Sequence, residues 1–256
     1  MQIPIIISLV LSATTLPSIS STTQQELFQQ SNSISFFKSK NTLKSIYLQS
    51  NKNHTFYCGC SFDTNKQIDH DSCNYSPRIK SNKRSHRLEF EHIVPAHALG
   101  KNLQCWKKPI CEKRNGKKYK GRKCCSKISD EYKQMQSDMH NLFPAVGEVN
   151  GDRSNFIFGE IYGEERKYGQ CDFEVAERIA EPKKSIRGDI ARSYFYMSHQ
   201  YKMEIPDDYE VMLREWHLFD PPDEWERDRN TLIEDVQGNR NPFIDYPEMV
   251  ERVRDY

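Results

Sequence analysis

The chain predicts an α+β fold, on three observations. Residues 54–60 and 87–95 read as short strands. The C-terminal third instead spaces its apolar residues at helical intervals, as in 189–202. Eight cysteines lie among loop-rich stretches, an even count that points to covalent stapling in an oxidising compartment. With 256 residues the chain can bury one substantial core. Apolar residues make up 36% and aromatics 11%, and mean hydropathy is −0.83. That is polar for a globular protein but too aromatic for a disordered one.

Residues 1–20 read as a secretory leader. An apolar run from Ile3 to Leu11 precedes Ser, Thr and Pro, with Ser18 and Ser20 at the −3 and −1 positions of a cleavage site. No Lys or Arg follows Met1, which departs from the usual leader. The run is too short to span a membrane, and no other long apolar run occurs. Residues 21–256 are then expected to form a single domain.

Within it, residues 22–50 carry Leu27, Phe28, Phe36, Phe37, Leu43, Ile46 and Tyr47 at spacings that predict one or two amphipathic helices. His54-Thr-Phe-Tyr-Cys-Gly-Cys60 reads as a short strand, and 61–85 as a loop ending in the cations Arg78, Lys80, Lys83 and Arg84. Arg87-Leu-Glu-Phe-Glu-His-Ile-Val-Pro95 reads as a strand stopped by its proline. Residues 101–127 hold eleven Lys and Arg against the single acid Glu112. Such a run is ordinarily a solvated face, but the four cysteines within it would hold its charges in place. Residues 204–235 run the other way, with twelve acids against three basic residues, so the molecule is expected to be electrostatically two-sided. Helices are predicted over 189–202, 207–218 and 223–235, the last two separated by Pro221-Pro222.

Two stretches carry chemistry. The 87–95 strand holds Glu89, Glu91 and His92; some fifty residues later, Asp138-Met-His-Asn-Leu-Phe-Pro-Ala-Val-Gly-Glu-Val-Asn-Gly-Asp-Arg-Ser-Asn155 concentrates Asp, His, Asn and Glu around a Pro/Gly break. Phosphodiester hydrolysis needs a base for water, for which histidine is suited. It also needs a hard cation, and Glu plus Asn with several waters suits Mg²⁺. Strand alternation would face Glu91 and His92 opposite ways, so both serve one site only if the strand ends there. The bland alternative is that these are the ordinary polar residues of a strand. Zinc is disfavoured because no Cys-x₂-Cys pair occurs. Cys58 and Cys60, and Cys124 and Cys125, are too close in sequence to bond each other readily, so each seeks a separate partner.

These motifs resemble the endonuclease I family, secreted and periplasmic bacterial nucleases of the ββα-metal (His-Me finger) type. The resemblance rests on Glu89-Phe-Glu-His-Ile-Val-Pro-Ala96, Cys105-Trp106, Gly121-Arg-Lys123 with Cys125-Ser126, and the 138–155 motif. It extends to Phe56-Tyr-Cys-Gly-Cys60, Gly188-Asp-Ile-Ala-Arg192, Tyr196-Met-Ser198, Asp223-Glu-Trp225 and Gly238-Asn-Arg-Asn-Pro-Phe243, and so covers roughly residues 25–245. It implies a ββα-metal nuclease core surrounded by helices. By position, Glu91 and Asn150 would bind one Mg²⁺, with Mn²⁺ or Ca²⁺ as alternative occupants. His92 would be the general base, Arg122 the phosphate ligand and Glu89 a supporting carboxylate.

The basic loop is longer than the family pattern and carries the extra pair Cys111 and Cys124, which leaves Lys123 and Arg114 as alternatives to Arg122. Lys117, Lys118, Lys120 and Lys123 are expected to contact nucleic acid. With the resemblance in place, the expected disulfides are Cys105–Cys125, Cys111–Cys124, Cys60–Cys73 and Cys58–Cys171. One of His140 and Asn141 is expected to order the strand, and Asp152 to pair with Arg153 at the helix start. His86, His97, His199 and His217 are read as structural or solvent-exposed. The implied activity is a secreted or periplasmic monomeric endonuclease that leaves 5′-phosphates on DNA, double- or single-stranded, and on RNA, without sequence preference. A catalytically inactive polyanion-binding protein and a zinc hydrolase are the competing classes.

Overall fold

The computed structural model describes residues 34–163, 165–253, 255 and 256; the leader of residues 1–20 and the helical reading of 22–33 lie outside them. Helix α1 (Phe36–Gln49) starts where Ser35 Oγ accepts a hydrogen bond from Lys38 N at 3.3 Å, an N-cap that satisfies one otherwise orphaned donor. Its buried residues Leu43, Ile46 and Tyr47 follow helical spacing, and Tyr47 meets Trp225 edge-on at 5.2 Å.

Residues 54–60 do not form the expected strand. The segment turns back on itself, with Gly59 N donating to Thr55 O, Thr55 N to Cys60 O, and Gly59 at φ +72°. Two cysteines one residue apart must reach partners in different directions, which an extended strand with Cys58 and Cys60 on one face would not allow. Cys58 bonds Cys171 and Cys60 bonds Cys73. Cys105–Cys125 and Cys111–Cys124 complete the set, the pairs expected above, and no described cysteine is free.

Strand β1 (Leu88–His92) leads to the short helices α2 (Ala96–Gly100) and α3 (Gln104–Lys107). A small hairpin follows, β2 (Cys111–Glu112) with β3 (Lys118–Tyr119), then α4 (Arg122–Ile128) and α5 (Asp130–Ser137). Of the two disulfides of this region, Cys111–Cys124 ties the hairpin to α4 and Cys105–Cys125 ties α3 to α4, so the basic run is anchored rather than loose. Strand β4 (Leu142–Val146) pairs antiparallel with β1, setting Glu89 opposite Ala145, Glu91 opposite Phe143 and His92 opposite Leu142. Helix α6 (Gly147–Arg153) follows without a linker.

A lone pair of strands is marginal in water and needs packing on its faces. Here every residue of β4 is buried, as is every residue of β1 except Glu89. Helix α6 comes close because of its glycines. A Cβ on Gly147 would stand 2.7 Å from Arg84 O and 2.9 Å from Glu89 Oε1, and one on Gly151 would stand 2.2 Å from Arg84 Nη1.

A second sheet, β5 (Ile157–Phe158), β7 (Ile179–Pro182) and β6 (Phe173–Ala176) in spatial order, buries Phe158, Phe173 and Ala180. The C-terminal helices are α7 (Arg187–Tyr201), α8 (Asp207–Phe219) and α9 (Glu224–Gln237), close to the predicted ranges. Helix α9 begins with a reciprocal Asp223/Glu226 capping box and ends at Gly238 in the left-handed conformation. Arg192 of α7 grips Glu226 through two hydrogen bonds of 2.7 and 2.6 Å, which locks α7 to α9. The described residues form one compact unit, and among them no helix is long and apolar enough to cross a membrane.

Cys58–Cys171 closes the longest covalent loop, with partners 113 residues apart. The paired substitution Cys58→Ser with Cys171→Ser is expected to lose roughly 2–5 kcal/mol of stability. Denaturant unfolding under non-reducing conditions checks it, and peptide mapping should recover the four bridges.

Candidate active site

The end of β1 opens into a cleft of about 520 Å³ whose walls include Glu89, Glu91, His92, Arg122, Asn150 and Arg153. Alternation along β1 is broken at its last residue. Ile93 N still donates to Asn141 O, but Val94 is held by the Asn141 side chain, which accepts from Val94 N at 2.7 Å and donates to Val94 O at 3.0 Å. Asn141 is therefore the residue that orders the strand end, while buried His140 is hydrogen-bonded to Asn239 O.

His92 is buried, and its Nε2 lies 2.9 Å from Gln136 O at the end of α5. A carbonyl only accepts, so Nε2 carries the proton and Nδ1 keeps its lone pair. Burial, reinforced by nearby Arg122, pulls the ring down to about 3, so it is neutral at physiological pH. Phe36 of α1 stacks on the imidazole, with ring centroids 5.2 Å apart, and the guanidinium of Arg122 lies over the same phenyl ring at 5.4 Å. One aromatic platform thus holds the histidine and the arginine together.

Glu91 is 3% exposed. Its Oε1 accepts from Tyr57 OH at 3.2 Å and faces Arg153 Nη1 at 3.0 Å, while Oε2 has no hydrogen-bond donor among the described residues. Burial pushes its carboxyl up to about 7, against the opposing pull of Arg153. Glu89 accepts from both Arg84 and Arg87, and also from Asn150 Nδ2 at 2.9 Å. That last bond fixes the Asn150 amide and leaves its Oδ1 without a donor among the described residues. The bonds to Arg84 and Arg87 hold the Glu89 carboxyl below its ordinary value, despite the upward push of its burial.

Arg153 and Asp152 are not partners. Fully buried Arg153 bonds Glu91 and the carbonyls of His92 and Ile93, and lies over the Phe158 ring at 4.4 Å. Asp152 is held instead by Arg78 and by Tyr168 OH. Residues one apart on a helix point about 100° from each other, so adjacent letters do not pair.

Of the basic residues expected at the substrate, Arg122 lines the cleft, while Lys117, Lys118, Lys120, Lys123 and Arg114 do not. Those four lysines are exposed on the hairpin and the first turn of α4. Besides Arg153, the cleft's other cations are Lys40, Lys66 and Arg84, which sequence reading did not assign to the site. Lys40 lies one helical turn beyond Phe36, the only trace of its role in the letters; Lys66 is brought in by loop packing alone. His97 meets Trp106 edge-on at 5.8 Å and also lines the cleft, whereas His217 is held by Pro247 O.

Among the described residues, no group of three or more His, Cys, Asp or Glu side chains is arranged to hold a metal ion. The oxygen donors in reach of a hard cation are Glu91 Oε2 and Asn150 Oδ1, and the cleft leaves room for waters and a phosphate. Two hard oxygens beside an open cleft fit a Mg²⁺ that keeps most of its waters, not a fully protein-caged metal.

The chain matches the family model described as Endonuclease I over residues 14–248. A periplasmic deoxyribonuclease of Aeromonas hydrophila is 44% identical over 197 residues, covering 75% of this chain and 78% of that protein. An endonuclease-1 of Buchnera aphidicola is 38% identical over 230 residues, covering 85% and 86%. An extracellular ribonuclease of Bacillus subtilis is 34% identical over 135 residues, 46% of each chain.

Replacing Arg153 by Met would leave Glu91 buried without its partner. The expected loss is about 3–5 kcal/mol at alkaline pH. Because Glu91 already sits near 7, it takes up a proton as pH falls, and the loss should shrink in acid. Denaturant melts of the variant across pH measure both.

Proposed function

The chain belongs to the endonuclease I family, and from that premise we propose that it is a secreted, Mg²⁺-dependent endonuclease that hydrolyses the phosphodiester backbone of DNA and RNA. The leader-like residues 1–20, the four disulfides and the periplasmic and extracellular relatives support secretion. The observation that carries the proposal is the convergence of Glu91, His92, Arg122 and Asn150 on one cleft, with His92 Nδ1 left as acceptor.

In this reading β1, β4 and α6 are the ββα-metal unit. Glu91 Oε2 and Asn150 Oδ1 hold one Mg²⁺, a position that Mn²⁺ or Ca²⁺ can also take. When bound, the ion supplies positive charge to the phosphorane and the departing oxygen. His92 Nδ1 removes a proton from water, whose oxygen attacks phosphorus. The bond from phosphorus to O3′ breaks, O3′ leaves with a proton from solvent, and a 5′-phosphate remains. The Nε2–H bond to Gln136 O steadies the imidazolium so formed. Arg122 holds the phosphate with its planar fork, and Glu89 keeps Asn150 oriented. Contacts made to phosphate carry no base information, which accounts for action without sequence preference. The exposed lysines Lys117, Lys118, Lys120 and Lys123 extend the positive surface for a long polyanion.

His92→Ala is expected to lower turnover about 10²–10⁴-fold while DNA affinity in EDTA stays near wild type. A variant that keeps a tenth of wild-type turnover would move the base elsewhere.

Because burial raises Glu91 to about 7, a cation must displace a proton from it below that pH. Apparent Mn²⁺ affinity should fall roughly tenfold per unit below about pH 7. Spin-resonance titration of free Mn²⁺ reads this without turnover, and Glu91→Gln should remove the pH dependence together with most of the binding.

A further inference from the structure

Lys66 stands in a backbone conformation that its residue type disfavours. Its φ is +66°, in the left-handed region where glycine is at ease and a lysine is strained. It closes the turn Asp63-Thr-Asn-Lys66, with Lys66 N donating to Asp63 O and Gln67 N to the Asp63 side chain. The turn is pinned to two parts of the site. Lys66 O accepts from Leu88 N at 2.8 Å, at the first residue of the strand that carries Glu89, Glu91 and His92. On the other side, Lys44 Nζ of α1 donates to Thr64 O at 2.8 Å, and Lys66 Nζ donates to Asn41 Oδ1 at 3.3 Å.

A position that a glycine would fill without strain therefore carries a cation, aimed along α1 into the cleft. Next to Asn41 on α1 is Lys40, which lies over the Phe36 ring at 4.4 Å and also lines the cleft. Burial, with Lys66 and Arg122 close by, holds the Lys40 ammonium below its ordinary value. Neither Lys40 nor Lys66 has a carboxylate within salt-bridge distance among the described residues, although most arginines around them do. Like charges crowded on one wall favour an anion bound between them, even with the Glu89 carboxylate near enough to offset part of the repulsion on Lys40.

We infer that Lys66 and Lys40 form a second phosphate subsite, which takes a backbone phosphodiester adjoining the one held at Arg122 and His92. The inference rests on the nuclease reading above. It accounts for a wall of the cleft that the chemistry at a single phosphate leaves unused. It also makes the enzyme favour polymers over isolated diesters, because a substrate with one phosphate cannot fill both positions.

Lys66→Gly tests it, since glycine accepts the left-handed turn while the charge is removed together with the hydrogen bond to Asn41; thermal stability at or above wild type will show that the turn still folds. In EDTA, the slope of log affinity for an oligonucleotide against log salt should flatten by about 0.7–0.9, the value for one lost phosphate contact. In Mg²⁺, KM for the oligonucleotide, divided by KM for bis(p-nitrophenyl) phosphate, should rise roughly 2- to 10-fold. Lys66→Arg should restore both quantities. A slope and ratio equal to wild type in Lys66→Gly overturn the subsite, as does an equal loss on both substrates, which would put Lys66 at the reacting phosphate. A wild-type chain that cleaves neither substrate overturns the nuclease reading instead, and the EDTA titration still decides whether Lys66 holds a phosphate.

Discussion

The buried guanidinium of Arg153 is the interaction on which the site depends. An arginine with no exposed surface needs buried acceptors, and this one finds Glu91 and the carbonyls of His92 and Ile93, while its Nε–H has no acceptor among the described residues. Those carbonyls are where β1 stops pairing regularly and turns toward α2. One side chain from α6 therefore ends the strand, ties the helix to it, and holds one Glu91 oxygen so that the other faces the cleft. Tyr57, packed 4.3 Å from the Phe173 ring, completes that grip from a loop stapled by two disulfides.

Two further buried carboxylates do for the loops what Arg153 does for the strand. Glu148 accepts from Tyr75 OH, Arg78 N, Ile79 N and the Asn82 amide, and so shapes the segment that delivers Arg84 to Glu89. Asp138 accepts from His140 N, Tyr196 OH, Tyr201 OH and the Gln237 amide, which joins the start of the second motif to α7 and the end of α9. An ionised carboxylate with several donors is well satisfied in a low-dielectric interior, whereas one left bare is not. The polar density of the 138–155 motif thus divides between chemistry and scaffolding, with Asn150 facing the cleft and Asp138, Asn141, Glu148 and Arg153 holding it in shape.

Charge is arranged in the same economical way. The acids of α8 and α9 serve partly as internal partners, as with Glu210 to Arg214 and Glu226 to Arg192. Of the cations on the cleft wall, Arg84 and Arg153 are paired with Glu89 and Glu91, whereas Lys40, Lys66 and Arg122 have no carboxylate within salt-bridge distance among the described residues. In the proposed reading, those unpaired cations would attract a polyanion without a large net charge on the chain, which stands at +1.

Local sequence determined a good deal. Pro95 and the 87–95 pattern announce a strand that ends beside its charged residues, Pro221-Pro222 marks the break before α9, and helical spacing places α7. The motif residues point to Glu91, His92, Asn150 and Arg122 as the proposed chemical set, and all four line one cleft. Only the tertiary structure decided the partners. Whether Arg153 pairs with its neighbour Asp152 or with Glu91, sixty-two positions earlier, depends on where α6 lies against β1. Whether His54-Thr-Phe-Tyr-Cys-Gly-Cys60 extends or turns depends on where Cys171 and Cys73 wait. The place of Lys66 at the cleft depends on a turn packed between α1 and β1. In each case a short-range pattern limits what a residue can do, while long-range packing decides what it meets, because burial makes one partner obligatory and proximity in the chain supplies none.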